Sequence, residues 1–249
     1  MTSSAADARP LLILLHGTRM NGAQWATYAE ALADIVDVMA PDLPGHGKRT
    51  SEAFSLAQEI EDISAMLEAA GERPVILAGH SLGGYAALCY AERHPDRLAG
   101  LVLMGCAAEP EGIGAWLYRR LAECWQSLGV SGMKWLDEHY FAQVCDAQVW
   151  AAIQAHGGQF CDIKAAWLDV MKHCSSRQLE AVRCPVLILG GSLDQLHIHA
   201  RRFAAAARQA TVVTKPRRTH LWPMTHPDEV AQALRAWLIN SVLSTPVAA

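Results

Sequence analysis

The 249-residue chain is 51% hydrophobic and 18% charged, a composition that excludes a disordered protein and is typical of an ordered globular one. The net charge is −4 and there is no long basic block, so we expect no nucleic-acid partner. The seven cysteines are odd in number and contain no C-x-x-C pair, which favours buried free thiols over a disulfide framework or a zinc ribbon.

The amino-terminal segment MTSSAADARP has neither the basic start nor the apolar core of a secretory signal. The apolar run that follows, PLLILL, is far too short to span a bilayer. We therefore expect a soluble, cytoplasmic protein with no membrane partner.

Short apolar runs along the chain predict the strands of a sheet. They are continuous and do not alternate with polar residues, which is typical of strands buried on both faces of a parallel sheet. The runs are PLLILL (10–15), DIVDVMA (34–40), PVILAG (74–79), LAGLVLMG (98–105), PVLILGG (185–191) and TVVTK (211–215).

Amphipathic helices are predicted between these strands. Apolar residues recur on one face of the segment 55–70, and Ser55 with Gln58 matches a capping box at its start. The segment 228–243 has the same periodicity and follows Pro227, a residue typical of helix starts. This alternation predicts an α/β fold, with a mostly parallel sheet of about six strands and helices on both faces.

The stretch 109–178 interrupts the alternation, because it contains helix-like segments and no strand-like run. It predicts a helical insertion between the fourth and fifth strands, with residues 1–108 and 179–249 forming the core. The insertion holds more than half of the eight tryptophans in the chain: Trp116, Trp125, Trp135, Trp150 and Trp167.

The segment LAGHSLGGYAAL (77–88) places Ser81 where a strand must turn sharply into a helix. Gly79 and Gly83 leave room for that turn on either side of the serine, and Gly84 allows the helix to lie close to the sheet. The serine hydroxyl is then exposed at the carboxyl end of the sheet, beside a helix amino terminus that favours negative charge. This arrangement indicates a nucleophilic serine.

The motif GHSLGG (79–84) resembles the nucleophile elbow of the α/β-hydrolase superfamily, in its serine-nucleophile, esterase-like branch. Four other segments resemble loops of that fold. LLHGTRMNGAQW (14–25) is similar to the oxyanion loop and PDLPGHGKR (41–49) to the loop after the fourth family strand, while GGSLDQL (190–196) and RRTHLWPMTHPDEV (217–230) are similar to the acid and histidine loops. The resemblance implies the α/β-hydrolase fold, with 109–178 as its helical cap.

The resemblance also implies a catalytic triad of Ser81, Asp194 and His220, which occur in the hydrolase order. Glu109 is the alternative acid, since some family members carry it after the preceding strand. Thr219 stands where the family often has glycine. The backbone N–H groups of Thr18 and Leu82 are the expected oxyanion hole.

The cap is expected to cover an apolar acyl pocket. Trp116, Trp125 and Met133 from the insertion, and Trp222 beside the candidate histidine, are its expected lining residues. Arg19 adjoins the oxyanion loop and is a candidate for binding a substrate carboxylate, although an arginine on the protein surface is the alternative interpretation.

These features favour a serine carboxylic-ester hydrolase that acts on a small to medium, largely apolar ester through an acyl-enzyme. The alternative is a C–C bond hydrolase or lyase that uses the same triad on a carboxylate-bearing substrate, as in menaquinone-pathway synthases and meta-cleavage hydrolases. A third interpretation is a non-catalytic small-molecule receptor. No metal or organic cofactor is implied, and the sequence leaves open whether the protein is a monomer or a homodimer.

Overall fold

The computed structural model describes residues 9–158 and 163–244. The strands in these ranges are β1 Leu11–Leu15, β2 Asp37–Met39, β3 Val75–His80, β4 Gly100–Met104, β5 Val186–Gly191 and β6 Ala210–Lys215. They form one sheet in the order β2-β1-β3-β4-β5-β6, and each neighbouring pair is parallel. The predicted α/β fold with about six strands is confirmed.

Helices cover both faces of this sheet. They are α1 Ala26–Leu32, α2 Leu56–Ala70, α3 Leu82–Arg93, α4 Gly112–Ser127, α5 Gly129–Leu136, α6 Ala142–Val144, α7 Ala147–His156, α8 Ile163–His173, α9 Ala200–Ala206, α10 Trp222–Thr225 and α11 Pro227–Trp237. Between β4 and β5, the described residues contain helices and helical turns and no strand. None of the helices in the described ranges combines the length and apolarity needed to cross a bilayer.

Two separate hydrophobic clusters show why the strands are apolar on both faces. Leu11 and Ile13 of β1 point into one cluster, together with α2, α3 and α9. Leu12 and Leu14 point into the other, together with α1 and α11. Because consecutive side chains of a strand point to opposite faces, a sheet covered on both sides requires continuous apolar runs.

Three local predictions were wrong in detail. The second strand is limited to Asp37–Met39, much shorter than the run 34–40. The capping box is one-sided: Ser55 accepts the Gln58 N–H, but the Gln58 side chain donates to the Asp62 carboxylate at 2.9 Å. Asp62 offers a charged acceptor one turn along the helix, and such an acceptor makes the stronger hydrogen bond. The last helix leaves α-geometry at Trp237 and continues as a π-helical turn over Leu238–Leu243.

The helical segment after β4 is attached to the rest of the fold by polar contacts. His156 at the end of α7 lies 2.8 Å from Asp42 in the loop after β2. The Asn21 side chain donates to the carbonyls of Ile153 and Gly157. These contacts fix α7 over the loops at the carboxyl ends of the strands.

The cysteines within the described ranges are free thiols. Cys161 lies outside those ranges. Cys106 is fully buried, and burial raises the pKa of its thiol well above the usual range.

Candidate active site

Ser81 lies between β3 and α3 and has backbone angles of φ 52° and ψ −115°. A positive φ is strained for a residue with a side chain, by about 1–3 kcal/mol, and is maintained only where the surroundings impose it. One such restraint is the hydrogen bond from the Ser81 N–H to the Met104 carbonyl, at 2.8 Å. The strained turn presents the serine at the carboxyl end of the sheet.

The glycines around Ser81 are required by close backbone contacts. A Cβ atom on Gly79 would lie 2.3 Å from the carbonyl carbon of Gly83. A Cβ on Gly83 would lie 2.6 Å from Cβ of Leu15, and one on Gly84 would lie 2.3 Å from Sγ of Cys106. Real Cβ atoms do not tolerate such distances, so the start of α3 can cross the end of β3 only with glycine at these positions.

His220 and Asp194 form a hydrogen-bonded pair beside Ser81. Asp194 follows β5 and His220 follows β6, and their Nδ1 and Oδ1 atoms are 3.0 Å apart. The same Asp194 oxygen accepts the Leu196 N–H at 2.8 Å. Burial alone raises the pKa of Asp194, but the His220 charge and the hydrogen bonds outweigh it and leave this pKa below its usual value. Asp194 is therefore ionised at neutral pH and holds the imidazole through Nδ1.

The other candidate acid, Glu109, points elsewhere. Its carboxylate pairs with Arg202 at 3.1 Å and lies within 3.3 Å of the Ser176 N–H. It is not among the described residues that line the cavity next to Ser81. The geometry thus places Asp194, and not Glu109, beside His220.

A buried chain of hydrogen bonds supports this site from behind, and the sequence did not suggest it. The Gly17 N–H donates to Gln24 Oε1 at 3.0 Å, and Gln24 Nε2 lies 3.2 Å from His80 Nδ1. His80 Nε2 lies 2.9 Å from the carbonyl oxygen of His220. Burial, with the neighbouring His220 charge, lowers the pKa of His80 to about 3, so the ring is neutral and can accept at one nitrogen and donate at the other. The chain links the loop after β1 to the backbone of His220.

The two expected oxyanion-hole residues come from the start of α3 and from the loop after β1. Leu82 is the first residue of α3, and N–H groups in a first helical turn have no acceptor within the helix. Thr18 lines the cavity, and its hydroxyl accepts the Trp167 indole N–H at 2.9 Å. The loop carrying Thr18 is therefore tied to α8.

A cavity of about 310 Å³ opens at Ser81 and His220. Its walls come from the loop after β1, from α4, α8 and the helical turn Asp137–Phe141, and from the loops after β5 and β6. The apolar and aromatic lining residues are Met20, Trp125, Tyr140, Phe141, Trp167, Leu193, Leu196, Leu221 and Met224. A largely apolar cleft of this size with a few polar groups is typical of a small-molecule site.

Only one of the expected tryptophans contributes to this lining. Trp125 lines the cavity as expected. Trp116 is 53% exposed and stacks under the Arg120 guanidinium, so its placement in the pocket was wrong. Trp167, another tryptophan of the insertion, also lines the cavity, and its indole N–H is bonded to Thr18.

Met133 and Trp222 were also expected to line the cavity, and both predictions were wrong. Met133 is buried in the core cluster against the sheet, and its carbonyl contacts Arg19. Trp222 is packed in the cluster on the opposite face of the sheet, and its indole N–H donates to Glu229 at 3.0 Å. Both side chains are already occupied in the hydrophobic core.

Arg19 does line the cavity, and the alternative of a surface arginine is wrong. Arg19 is only 5% exposed, and its Nη2 atom lies 2.7 Å from Asp137 Oδ1. No sequence signal links Arg19 to a carboxylate in the turn after α5, so its burial could not be foreseen.

Residues 12–233 match the model of a known family, described as the alpha/beta hydrolase family. The chain belongs to this family. A lipase from Mycobacterium tuberculosis, LipV, is 34% identical over 41% of this chain and 39% of its own length. A 2-succinyl-6-hydroxy-2,4-cyclohexadiene-1-carboxylate synthase from Yersinia pestis is 38% identical over 39% of this chain and 36% of its own. The chain thus matches less than half the length of these curated relatives.

A solved esterase from Thermogutta terrifontis, with malate bound, is similar over a much longer range. It covers 92% of this chain and 89% of its own, with 28% identity and a TM-score of 0.73. The chain therefore shares the alpha/beta hydrolase family and fold with these proteins.

Proposed function

We propose that the protein is a serine hydrolase of carboxylic esters that works through an acyl-enzyme. The observation that carries this proposal is the Nδ1–Oδ1 hydrogen bond between His220 and Asp194, next to a serine in a strained elbow on the same cavity. A nucleophile, a base and a group that orients the base are the parts that acyl transfer requires.

In the first half-reaction, the Ser81 oxygen bonds to the ester carbonyl carbon and its proton passes to Nε2 of His220. The N–H groups of Thr18 and Leu82 stabilise the carbonyl oxygen as it becomes an oxyanion. The bond to the alcohol oxygen then breaks, and His220 gives its proton to the departing alcohol. In the second half-reaction, water attacks the acyl-enzyme with the same proton transfers, which releases the acid and restores Ser81.

The cavity favours a small to medium, largely apolar ester. Its volume of about 310 Å³ is at the lower end of the range for small-molecule sites. Trp125, Phe141 and Trp167 cover the space in front of Ser81, so an aliphatic acyl chain would be removed from water there. The lipase and esterase named among the relatives support ester chemistry.

A C–C bond hydrolase or lyase on a carboxylate-bearing substrate is the second candidate. The specific observation that favours it is the cationic residue Arg19 in the cavity lining, together with the similarity to the Yersinia pestis synthase. Ester and diketone substrates presented to the same preparation separate the two candidates. Turnover of esters alone favours the first, and turnover of carboxylated diketones or dienoates alone favours the second.

The test of the proposed function is covalent labelling of the serine. A fluorophosphonate reagent is expected to add to Ser81 and to stop hydrolysis of p-nitrophenyl butyrate, with the modified peptide identified by mass spectrometry. Ser81→Ala should lose activity by about 10⁴-fold or more and should not be labelled. Ser131→Ala, on the exposed surface of α5, is the matched control and should behave as the wild type. Labelling at another serine, or activity retained in Ser81→Ala, would contradict the proposal.

A further inference from the structure

Arg19 occupies an unusual position for a charged residue. It directly follows Thr18 in the loop after β1 and has a φ of 67°, in the left-handed region that side chains avoid. Its side chain is 3% exposed, yet the residue lines the cavity that contains Ser81. A buried charge in a strained loop is unfavourable unless other interactions compensate for it.

One nitrogen of the guanidinium is firmly held. Nη2 donates to Asp137 Oδ1 at 2.7 Å and lies 3.4 Å from the Met133 carbonyl. The guanidinium carbon also lies 5.7 Å from the ring centre of Trp125 and 5.5 Å from that of Phe141. These contacts fix the orientation of the group, because the two rings and the carboxylate restrain it from different directions.

The other two nitrogens of the guanidinium are unpaired. Nε and Nη1 are buried and have no hydrogen-bond partner. Among the described residues that line the cavity, Nε and Nη1 of Arg19 are the only buried side-chain nitrogen or oxygen atoms without a hydrogen-bond partner. Buried donors are almost always satisfied, so two unpaired guanidinium nitrogens on a residue that lines the cavity indicate a missing acceptor.

The charges around the cavity decide what kind of acceptor fits. The described lining includes no aspartate or glutamate, and Arg19 is its one permanently charged side chain. Asp137 is not among these lining residues. An anionic group that enters the cavity therefore meets a cation and no carboxylate in the described part of the wall.

We infer that Arg19 is a carboxylate-binding residue, and that the substrates are monoesters of aliphatic dicarboxylic acids. The ester carbonyl lies at Ser81, the methylene chain lies against the aromatic wall, and the free carboxylate accepts hydrogen bonds from Nε or Nη1 of Arg19. Such a substrate is largely apolar in its middle and anionic at one end, as the cavity is. This inference rests on the proposed ester hydrolysis.

The experiment compares three sets of methyl esters of matched length. The first set consists of monomethyl esters of straight-chain diacids of four to eight carbons, the second of methyl esters of the monoacids of equal length, and the third of methyl esters that end in a neutral amide. We expect the carboxylate to raise kcat/KM by roughly 10- to 100-fold over the monoacid ester at one optimal length, the scale of a charge-assisted hydrogen bond. Equal rates for the carboxylate and amide sets, or a slower carboxylate set, would overturn the inference.

Variants show whether Arg19 causes this preference. Arg19→Met should reduce the carboxylate-to-monoacid ratio of kcat/KM by about tenfold or more. Because that change takes the Arg19 charge away from the buried Asp137 carboxylate, Arg19→Met/Asp137→Asn provides a second protein in which both charges are removed. Arg120→Met is the matched control, since Arg120 is exposed and stacks on Trp116 outside the cavity, and it should keep the wild-type ratio. A wild-type ratio in both Arg19 variants would overturn the inference.

A binding measurement separates this inference from the proposed function. Calorimetry with Ser81→Ala and the monomethyl diacid esters requires no turnover. Arg19-dependent binding to Ser81→Ala, together with a wild type that hydrolyses none of the esters, would refute the proposed function and leave the carboxylate site standing. Ester turnover with no response to the carboxylate, and no carboxylate-dependent binding to Ser81→Ala, would refute the carboxylate site and leave the proposed function standing.

Discussion

The floor and the roof of the cavity are held in place by different means. The floor consists of Ser81, Asp194 and His220, which stand in turns directly after β3, β5 and β6. The roof consists of aromatic side chains on the helical segment, among them Trp125 and Phe141. Strained backbone turns and hydrogen bonds fix the floor, whereas the roof depends on packing between side chains, such as the stacking of Phe141 on Trp150 at 5.8 Å.

This difference has a consequence for function. A change in the floor alters the positions of the reacting atoms, so it should affect the rate with every substrate. A change in the roof alters the surface presented to the substrate, so it should mainly affect the choice among substrates. The variants below test that division.

The largest effect is expected from Asp194→Asn. The asparagine cannot stabilise an imidazolium and can hold the wrong tautomer of His220, which in a triad costs on the order of 10⁴ in kcat. Steady-state kinetics with p-nitrophenyl butyrate measures this loss. Glu109→Gln is the matched control, because Glu109 is also a buried carboxylate after a strand but pairs with Arg202. A greater loss in Glu109→Gln than in Asp194→Asn would reverse the assignment of the acid.

Buried histidines beside the floor should also make the stability of the protein depend on pH. Burial lowers the pKa of His80 to about 3 and that of His16 to about 4, both below the unfolded value near 6.5. Since the unfolded chain then binds more protons, the stabilising contribution of each ring is complete above pH 6.5 and decreases as the pH falls toward the folded pKa. Between its folded and unfolded pKa values, each histidine lowers the free energy of unfolding by about 1.4 kcal/mol for each unit by which the pH falls.

Urea unfolding of the wild type and of His80→Gln at pH 7, 6 and 5 measures this dependence. The glutamine retains a donor and an acceptor for the neighbours of His80, but it has no group that titrates in this range. We expect the slope of unfolding free energy between pH 6 and pH 5 to fall by about 1.4 kcal/mol per unit in the variant. An unchanged slope would mean that His80 takes up its proton equally in the folded and unfolded states.

The same division explains how much of the protein the sequence could predict. The floor is encoded by short contiguous motifs, because a sharp strand-to-helix turn admits only glycine at positions such as Gly79 and Gly83. The roof depends on which side of each helix faces inward. Trp116 and Trp125 are nine residues apart on α4, about two and a half turns, so they point in opposite directions and cannot both line one cavity. That periodicity was available from the sequence, although it does not say which of the two faces inward.

Distant contacts account for the rest. The burial of Arg19 depends on Asp137, which lies 118 residues further along the chain. The role of Gln24 depends on His80, which becomes its neighbour only when β3 forms beside β1. A single sequence contains the residues of such pairs but no signal that they meet.

A moderate effect on selectivity is expected from the roof residue Trp125. Trp125→Ala removes a large apolar surface from the cavity wall, so kcat/KM for hexanoate relative to acetate p-nitrophenyl esters should change by about tenfold. Trp135→Ala is the control, because Trp135 is exposed and stacks on His139. If both substrates lose activity equally in Trp125→Ala, this tryptophan serves the structure of the roof and not the choice of substrate.

The smallest effect should come from a hydrogen bond that joins the roof to the oxyanion loop. The Trp167 indole N–H donates to the Thr18 hydroxyl at 2.9 Å, and the N–H of Thr18 is the proposed oxyanion donor. Trp167→Phe retains an aromatic ring and removes this hydrogen bond, which is worth about 1 kcal/mol or a fivefold change. Because the bond acts on the position of the loop and not on the acyl chain, kcat should fall severalfold for acetate and hexanoate esters alike.

Thr18→Val removes the same bond from the other side, so the double variant should lose no more than either single variant. Additive losses would show that Trp167 and Thr18 act independently, and that the roof does not support the floor through this bond.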